Sequence, residues 1–306
     1  VFGTRVSNAG LIDVRSAGLA YGAWSYNLDM RVVNDGTIHV EGGRGAYGVN
    51  LGAVGQLVNS GVIDVVGRNG DVFGVRAISQ TSITNTGSIV VNRTDGDGIG
   101  LYVRADGYTI NNSGLIDADI AIDAGPYFSS AVGRIVNTGE IRGRVQMAGT
   151  YDVFTNNGLT TGVIAMGNGQ NIFEGSGGRQ TGQVQGGLGR DQLIGGAFSD
   201  NFDGGDQSDI LTGGAGDDLL NGGSGDDFAI FRGPRSAYSW VANGSQITIT
   251  GPDGVDTLID VELLLFDDEL VSLTGFGIRE KGFGGDDTIV GTNLNDLLDG
   301  GDVPSL

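Results

Sequence analysis

The sequence predicts an all-β chain: a parallel β-helix, or β-solenoid, with coils of about 26 residues, followed by a tighter β-roll with a short antiparallel cap. Three observations predict it. An Asn-x-Gly motif recurs at nearly constant spacing through the first half, and a nine-residue glycine–aspartate period runs through part of the second. No stretch sustains the 3.6-residue period of a helix.

The first repeat reads Asn8-Ala9-Gly10-Leu11-Ile12, and returns at Asn34, Asn59, Asn85, Asn112 and Asn137 with spacings of 26, 25, 26, 27 and 25. A weaker seventh copy starts at Asn156. Short stretches such as Ile63-Asp64-Val65 alternate apolar and polar residues, the period of a strand, while Asn and Gly tolerate the backbone of turns. So small a unit cannot bury its own apolar face, but stacked units bury one another's. Residues 1–166 are therefore read as about seven solenoid coils with a buried asparagine ladder. A second marker, Tyr21, Tyr47, Phe73 and Ile99, keeps step at 26, and its rings lie in apolar runs, so an internal stack is expected. The single histidine, His39, sits between Ile38 and Val40 and is expected to face away from the core.

The second repeat begins five units in register, at Gly186, Gly195, Gly204, Gly213 and Gly222. The sixth position is Asp191, Asp200, Asp209, Asp218 or Asp227, and the eighth is Leu193, Phe202, Leu211, Leu220 or Ala229. A degenerate unit at 177–185 precedes them, and Asp287 with Ile289 and Asp296 with Leu298 repeat the signature late. The organisation read from this is a β-roll over 167–230, an antiparallel cap or connector over 231–281, and the start of a second repeat block over 282–306. Within the cap, 238–241 and 246–250 flank Asn243-Gly244 as a hairpin, and Gly251-Pro252-Asp253-Gly254 reads as a turn.

The pattern Gly-Gly-x-Gly-x-Asp-x-apolar-x resembles the repeat of RTX, or hemolysin-type calcium-binding, proteins. The first half resembles, more loosely, the β-helical passengers of bacterial surface and adhesin proteins. The RTX resemblance implies several calcium ions, held by Asp191, Asp200, Asp209, Asp218, Asp227, Asp287 and Asp296. Backbone carbonyls of Gly187, Gly189, Gly205, Gly214, Gly216, Gly223 and Gly225 would complete the shells, with Asp206, Asp217 and Asp226 as auxiliary acids. The chemistry is consistent: calcium takes six to eight oxygens, and glycine accepts the dihedrals that turn carbonyls inward. Two nonads make one coil, so loops two units apart share an ion. Phe198 replaces the inner glycine of the second unit, and Arg190 stands where later units carry Asp217 and Asp226, so both places are expected to bind less well.

Charge fits a small cation. Residues 1–165 carry 14 acids and 11 bases, a net −3, whereas 166–306 carry 23 and 6, a net −17. Such a chain repels nucleic acid and anionic lipid, and no apolar run reaches the ~18 residues of a membrane span. The absence of cysteine excludes disulfides and thiolate chemistry. There is no His-Glu-x-x-His and no Gly-x-Ser-x-Gly, and His39 has only Glu41 nearby, so no enzyme is expected within these residues. The expectation is a calcium-binding structural protein secreted to the surface of a Gram-negative bacterium: an S-layer-like lattice subunit, a matrix filament or an adhesin. It would fold on extracellular calcium and self-associate, with a cell-surface glycan as a further partner. The alternative is the non-catalytic β-helix and RTX portion of a larger secreted enzyme, such as a polysaccharide-modifying enzyme or a protease.

Overall fold

The computed structural model describes residues 5–24, 30–52, 55–105, 107–125, 132–243, 246–273, 279–282 and 298–300. Asp287 and Asp296, and with them most of the expected second repeat block, lie outside the described residues. Apart from a 3-10 turn at Arg235–Ala237, every described element is a strand. The chain divides into two compact units, Val1–Gln183 and Val184–Leu306.

In the first unit a coil comprises three strands, as in Met30–Asn34, Thr37–Gly42 and Gly45–Leu51. Each pairs parallel and in register with its counterpart one coil on: Met30 with Gly55, Ile38 with Ile63, Tyr47 with Phe73. This is the expected parallel solenoid. The apolar members of the alternation, among them Ile38, Val40, Ile63, Val65 and Ile89, are fully buried between the sheets. After Asn137 the coil shortens. Asn137 bonds to Asn156, only 19 residues on, and Val153–Asn156 pairs with Ile172–Glu174 at the same offset. The shorter coil explains why the seventh copy of the motif is weak, and pairing of Leu159–Thr161 with Arg179–Gln180 carries the solenoid further along the chain.

The asparagine column is a continuous buried ladder. Asn8, Asn34, Asn59, Asn85, Asn112 and Asn137 each donate an Nδ2 hydrogen bond to the Oδ1 of the next, at 2.7–2.9 Å. The same amide groups reach a carbonyl of the next coil, as Asn34 does to Val62. A carboxamide suits this place because it is both donor and acceptor, so a stack of them satisfies itself.

The aromatic column corrects one expectation. Its rings stack, but on the outside: Tyr21 on Tyr47 at 4.7 Å, Tyr47 against Phe73 at 5.3 Å, and Phe73 on Tyr102 at 4.7 Å. Tyr21, Tyr47 and Tyr102 are half-buried, and only Phe73 is buried. The glycine after each ring is the reason. A Cβ at Gly48 would collide with Ile63 and Val65, and one at Gly74 with Ile89 and Val91, so glycine is the inward position and its neighbour must point out. His39 faces outward as expected and is held by Asp64 of the next coil at 2.7 Å.

The second unit is a roll with 18-residue coils. Gln192–Ile194, Ile210–Thr212 and Phe228–Ile230 form one parallel sheet, and Val184–Leu188, Asn201–Asp206 and Leu219–Ser224 the other. The eighth-position residues Leu193, Phe202, Leu211, Leu220 and Ala229 fill the space between. The cap is antiparallel where expected: Ser239–Asn243 pairs with Gln246–Gly251, that strand with Gly254–Ile259, and Leu263–Leu265 with Leu270–Ser272. It also continues the roll. Thr257–Ile259 runs parallel to Leu219–Asn221, and Leu263–Leu265 parallel to Phe228–Ile230, which adds one coil beyond the last regular nonad.

Candidate metal centre

The glycine-rich hexads are the turns between the two sheets of the roll. They fall in two rows: Gly186–Asp191, Gly204–Asp209 and Gly222–Asp227 in one, Gly195–Asp200 and Gly213–Asp218 in the other. All seven glycines expected to supply carbonyls have positive φ, from 98° at Gly214 and Gly223 to 157° at Gly225. These angles are readily open only to glycine. At the fourth position of the third unit the chain uses Gln207, at φ 74°, so that turn is strained. The first glycine has a different role. A Cβ at Gly186, Gly204, Gly213 or Gly222 would strike Oδ2 of the aspartate five residues on, because each hexad curls until its ends touch.

The aspartates form ladders of their own. Asp191 N–H donates to Asp209 Oδ1 at 2.7 Å, Asp209 N–H to Asp227 Oδ1 at 2.8 Å, and Asp200 N–H to Asp218 Oδ1 at 2.8 Å. One carboxylate oxygen is thus spent on the backbone of the preceding coil. The other, Oδ2 of Asp209, Asp218 and Asp227, is buried with no hydrogen-bond partner. Burial, with a lesser push from neighbouring acids, raises the carboxyl pKa to about 7 at Asp209 and about 6 at Asp227. Asp218 is raised too, chiefly by burial and then by Asp253 and Asp217. Buried acids with a bare oxygen each, Asp209 and Asp227 in one row and Asp218 in the other, demand positive charge. No three acidic or histidine side chains converge on one point among the described residues, so a cation there takes much of its shell from carbonyls. That donor set is what a hard cation such as calcium prefers.

The second unit differs in one atom. Asp200 Oδ2 accepts the Gly196 N–H at 2.9 Å, so this oxygen is engaged by backbone. Burial still raises it to about 6. This is the unit that carries Phe198, which is exposed. The auxiliary acids Asp206, Asp217 and Asp226 are exposed on the rims of the turns. Asp217 is committed to the cap, since its Oδ1 accepts the Val255 N–H at 2.9 Å.

Two acids in the ladders escaped the sequence reading. Asp218 N–H donates to Asp256 Oδ1 and Asp227 N–H to Glu262 Oε2, both at 2.9 Å. Burial raises Asp256 to about 7 and also raises Glu262. The available signal was an acid two residues before a buried leucine: Asp256 before Leu258, Glu262 before Leu264.

A family model for the RTX calcium-binding nonapeptide repeat matches four copies in this chain, at residues 194–229 and 281–302. Comparison with curated proteins and with solved structures gave no match. The chain therefore carries calcium-binding RTX repeats, of the kind typical of secreted Gram-negative proteins, on a framework of parallel sheets. No helix among the described residues is long and apolar enough to cross a membrane.

Proposed function

We propose that this chain is a structural protein secreted by a Gram-negative bacterium, whose second unit folds when extracellular calcium fills its aspartate rows. The observation that carries this reading is the buried, partnerless oxygens on Asp209 and Asp227 in one row and on Asp218 in the other. Asp191, Asp209, Asp218 and Asp227, with the carbonyls of the left-handed glycines, would hold the ions. Without them, the net −17 of residues 166–306 opposes compaction. Extracellular modules bind calcium at about 10⁻⁴–10⁻³ M, so such a chain stays open in the cytosol and sets outside the cell.

The structural role, as lattice or filament subunit or as adhesin, draws support from the coil-on-coil repeat of the first unit, whose stacked strands present an extended surface for contact. Electron microscopy of the purified chain tests this. Filaments or sheets on adding millimolar calcium are expected, and persistent monomers would reject the assembly role.

A further inference from the structure

The cap contains a segment whose backbone repeats that of the nonads. Gly251-Pro252-Asp253-Gly254-Val255-Asp256 lies opposite the hexad Gly213–Asp218, and three of its backbone contacts reproduce those made between regular hexads. The fourth-position N–H of Gly216 donates to the third-position carbonyl of Asp253 at 2.8 Å, as Gly189 donates to Asp206 at 3.1 Å. The sixth-position N–H of Asp218 donates to Asp256 Oδ1, as Asp191 donates to Asp209. The seventh-position N–H of Thr257 donates to the Asp218 carbonyl at 2.8 Å, as Ile210 donates to Asp191 at 2.9 Å. Gly254, at φ 146°, stacks over Gly216 so closely that a Cβ would strike its carbonyl, as one at Gly225 would strike that of Gln207. Leu258 then occupies the eighth position, buried against the core.

We propose that Gly251–Ile259 is a sixth, cryptic nonad, displaced along the chain by the inserted residues 231–250, and that its hexad and Gly213–Asp218 hold a further calcium ion between them. The proposal rests on the reading that the regular nonads bind calcium. Two observations at this place point to a cation. Asp218 is only 3 % exposed and its Oδ2 has no partner, and Asp253 Oδ1 is likewise buried and unpartnered. Asp256, 2 % exposed, supplies the second carboxylate. The match of the RTX family model stops at 229 and resumes at 281, so it does not include this segment. Pro252 accounts for its disguise. Proline locks φ near −65°, which forbids the left-handed angle that Gly205, Gly214 and Gly223 adopt at the second position. The site therefore binds more weakly than a regular pair of hexads, and its ion locks the cap onto the roll.

Trp240, in the cap strand Ser239–Asn243, reports on the docking. The test uses the full chain in a Trp24→Phe background, with calcium as the probe. Equilibrium dialysis gives the number of ions, and Trp240 fluorescence gives the midpoint of cap docking. Asp256→Asn keeps the acceptor for the Asp218 N–H but removes the charge. It should bind one ion fewer and raise the Trp240 midpoint about tenfold, equivalent to ~1.4 kcal/mol. Pro252→Gly restores the second glycine and should lower that midpoint severalfold. Unchanged stoichiometry in Asp256→Asn overturns the proposal. If Asp256→Asn does not fold, an unchanged midpoint in Pro252→Gly overturns it instead. An unaltered chain that binds no calcium at all is a different result, which removes the nonad reading rather than the cryptic site.

Discussion

Both units stack one polar side chain at the same corner of successive coils, yet the two ladders differ by a single donor. In the solenoid, Asn59 receives from Asn34 and gives to Asn85, and the chain of amides closes on itself. In the roll, Asp209 receives one backbone N–H and has nothing to give, so its second oxygen stays bare inside the protein. A neutral ladder stabilises its fold under any conditions. A ladder of anions does so only when something positive is added, which makes the same architecture conditional. The number of donors on one side chain decides whether a β-coil is permanent or switchable.

That contrast breaks most visibly on removing calcium. Chelation should abolish the sheet circular dichroism of the second unit and leave most of that of the first. Spectra that fall together, or not at all, would show that the ladders do not differ in this way. Single substitutions sharpen it. Asn59→Ala removes one acceptor of the Asn34 Nδ2 and strands the Oδ1 of Asn85 in the core, and should cost about 1–3 kcal/mol, by the same amount with and without calcium in thermal melts. Asp209→Ala should instead weaken calcium binding about tenfold or more, read by titration calorimetry. Asp200→Ala should weaken it less, because Asp200 Oδ2 already has the Gly196 N–H.

Protons offer a smaller version of the same effect. The pKa values of Asp209, Asp227 and Asp256 in the folded chain, about 7, 6 and 7, exceed the value near 4 of an unfolded aspartate. A raised folded-state pKa means that the folded form holds more protons between those values. Its stabilising contribution is therefore complete below about pH 4 and is lost as pH rises through 6 to 7. Calcium-free protein should accordingly regain sheet signal in the second unit on going from pH 8 to pH 5, and a second unit that loses signal would contradict the sign. The smallest expected effect is at Gln207. Glycine there relieves the left-handed backbone, so Gln207→Gly should stabilise the calcium-loaded roll by about 1 kcal/mol in urea unfolding.

Both periods were legible because stacking forces them: each asparagine or aspartate must recur where the coil does. The nonad period was legible for the same reason, and the odd second unit, marked by Phe198, is where the aspartate Oδ2 accepts the Gly196 N–H. What escaped were places where geometry outlives the motif. The coil shortens by six residues after Asn137, from 25 to 19, while the ladder continues. The rings at Tyr21 and Tyr47 read as core because they sit among apolar residues, but Gly22 and Gly48 are the residues that face inward. Asp256 and Glu262 were hidden by an insertion, a proline and a shortened turn, although the backbone bonds of their coil match those of the regular nonads.

Hydrogen exchange measured by mass spectrometry on the full chain, with and without calcium, tests the difference between the two ladders most directly. Backbone amides of the strands bearing Asn59, Asn85 and Asn112 should be protected in both conditions, whereas those around Asp191, Asp209 and Asp218 should gain protection only when calcium is present. Equal protection of the aspartate turns in calcium and in chelator would contradict the account.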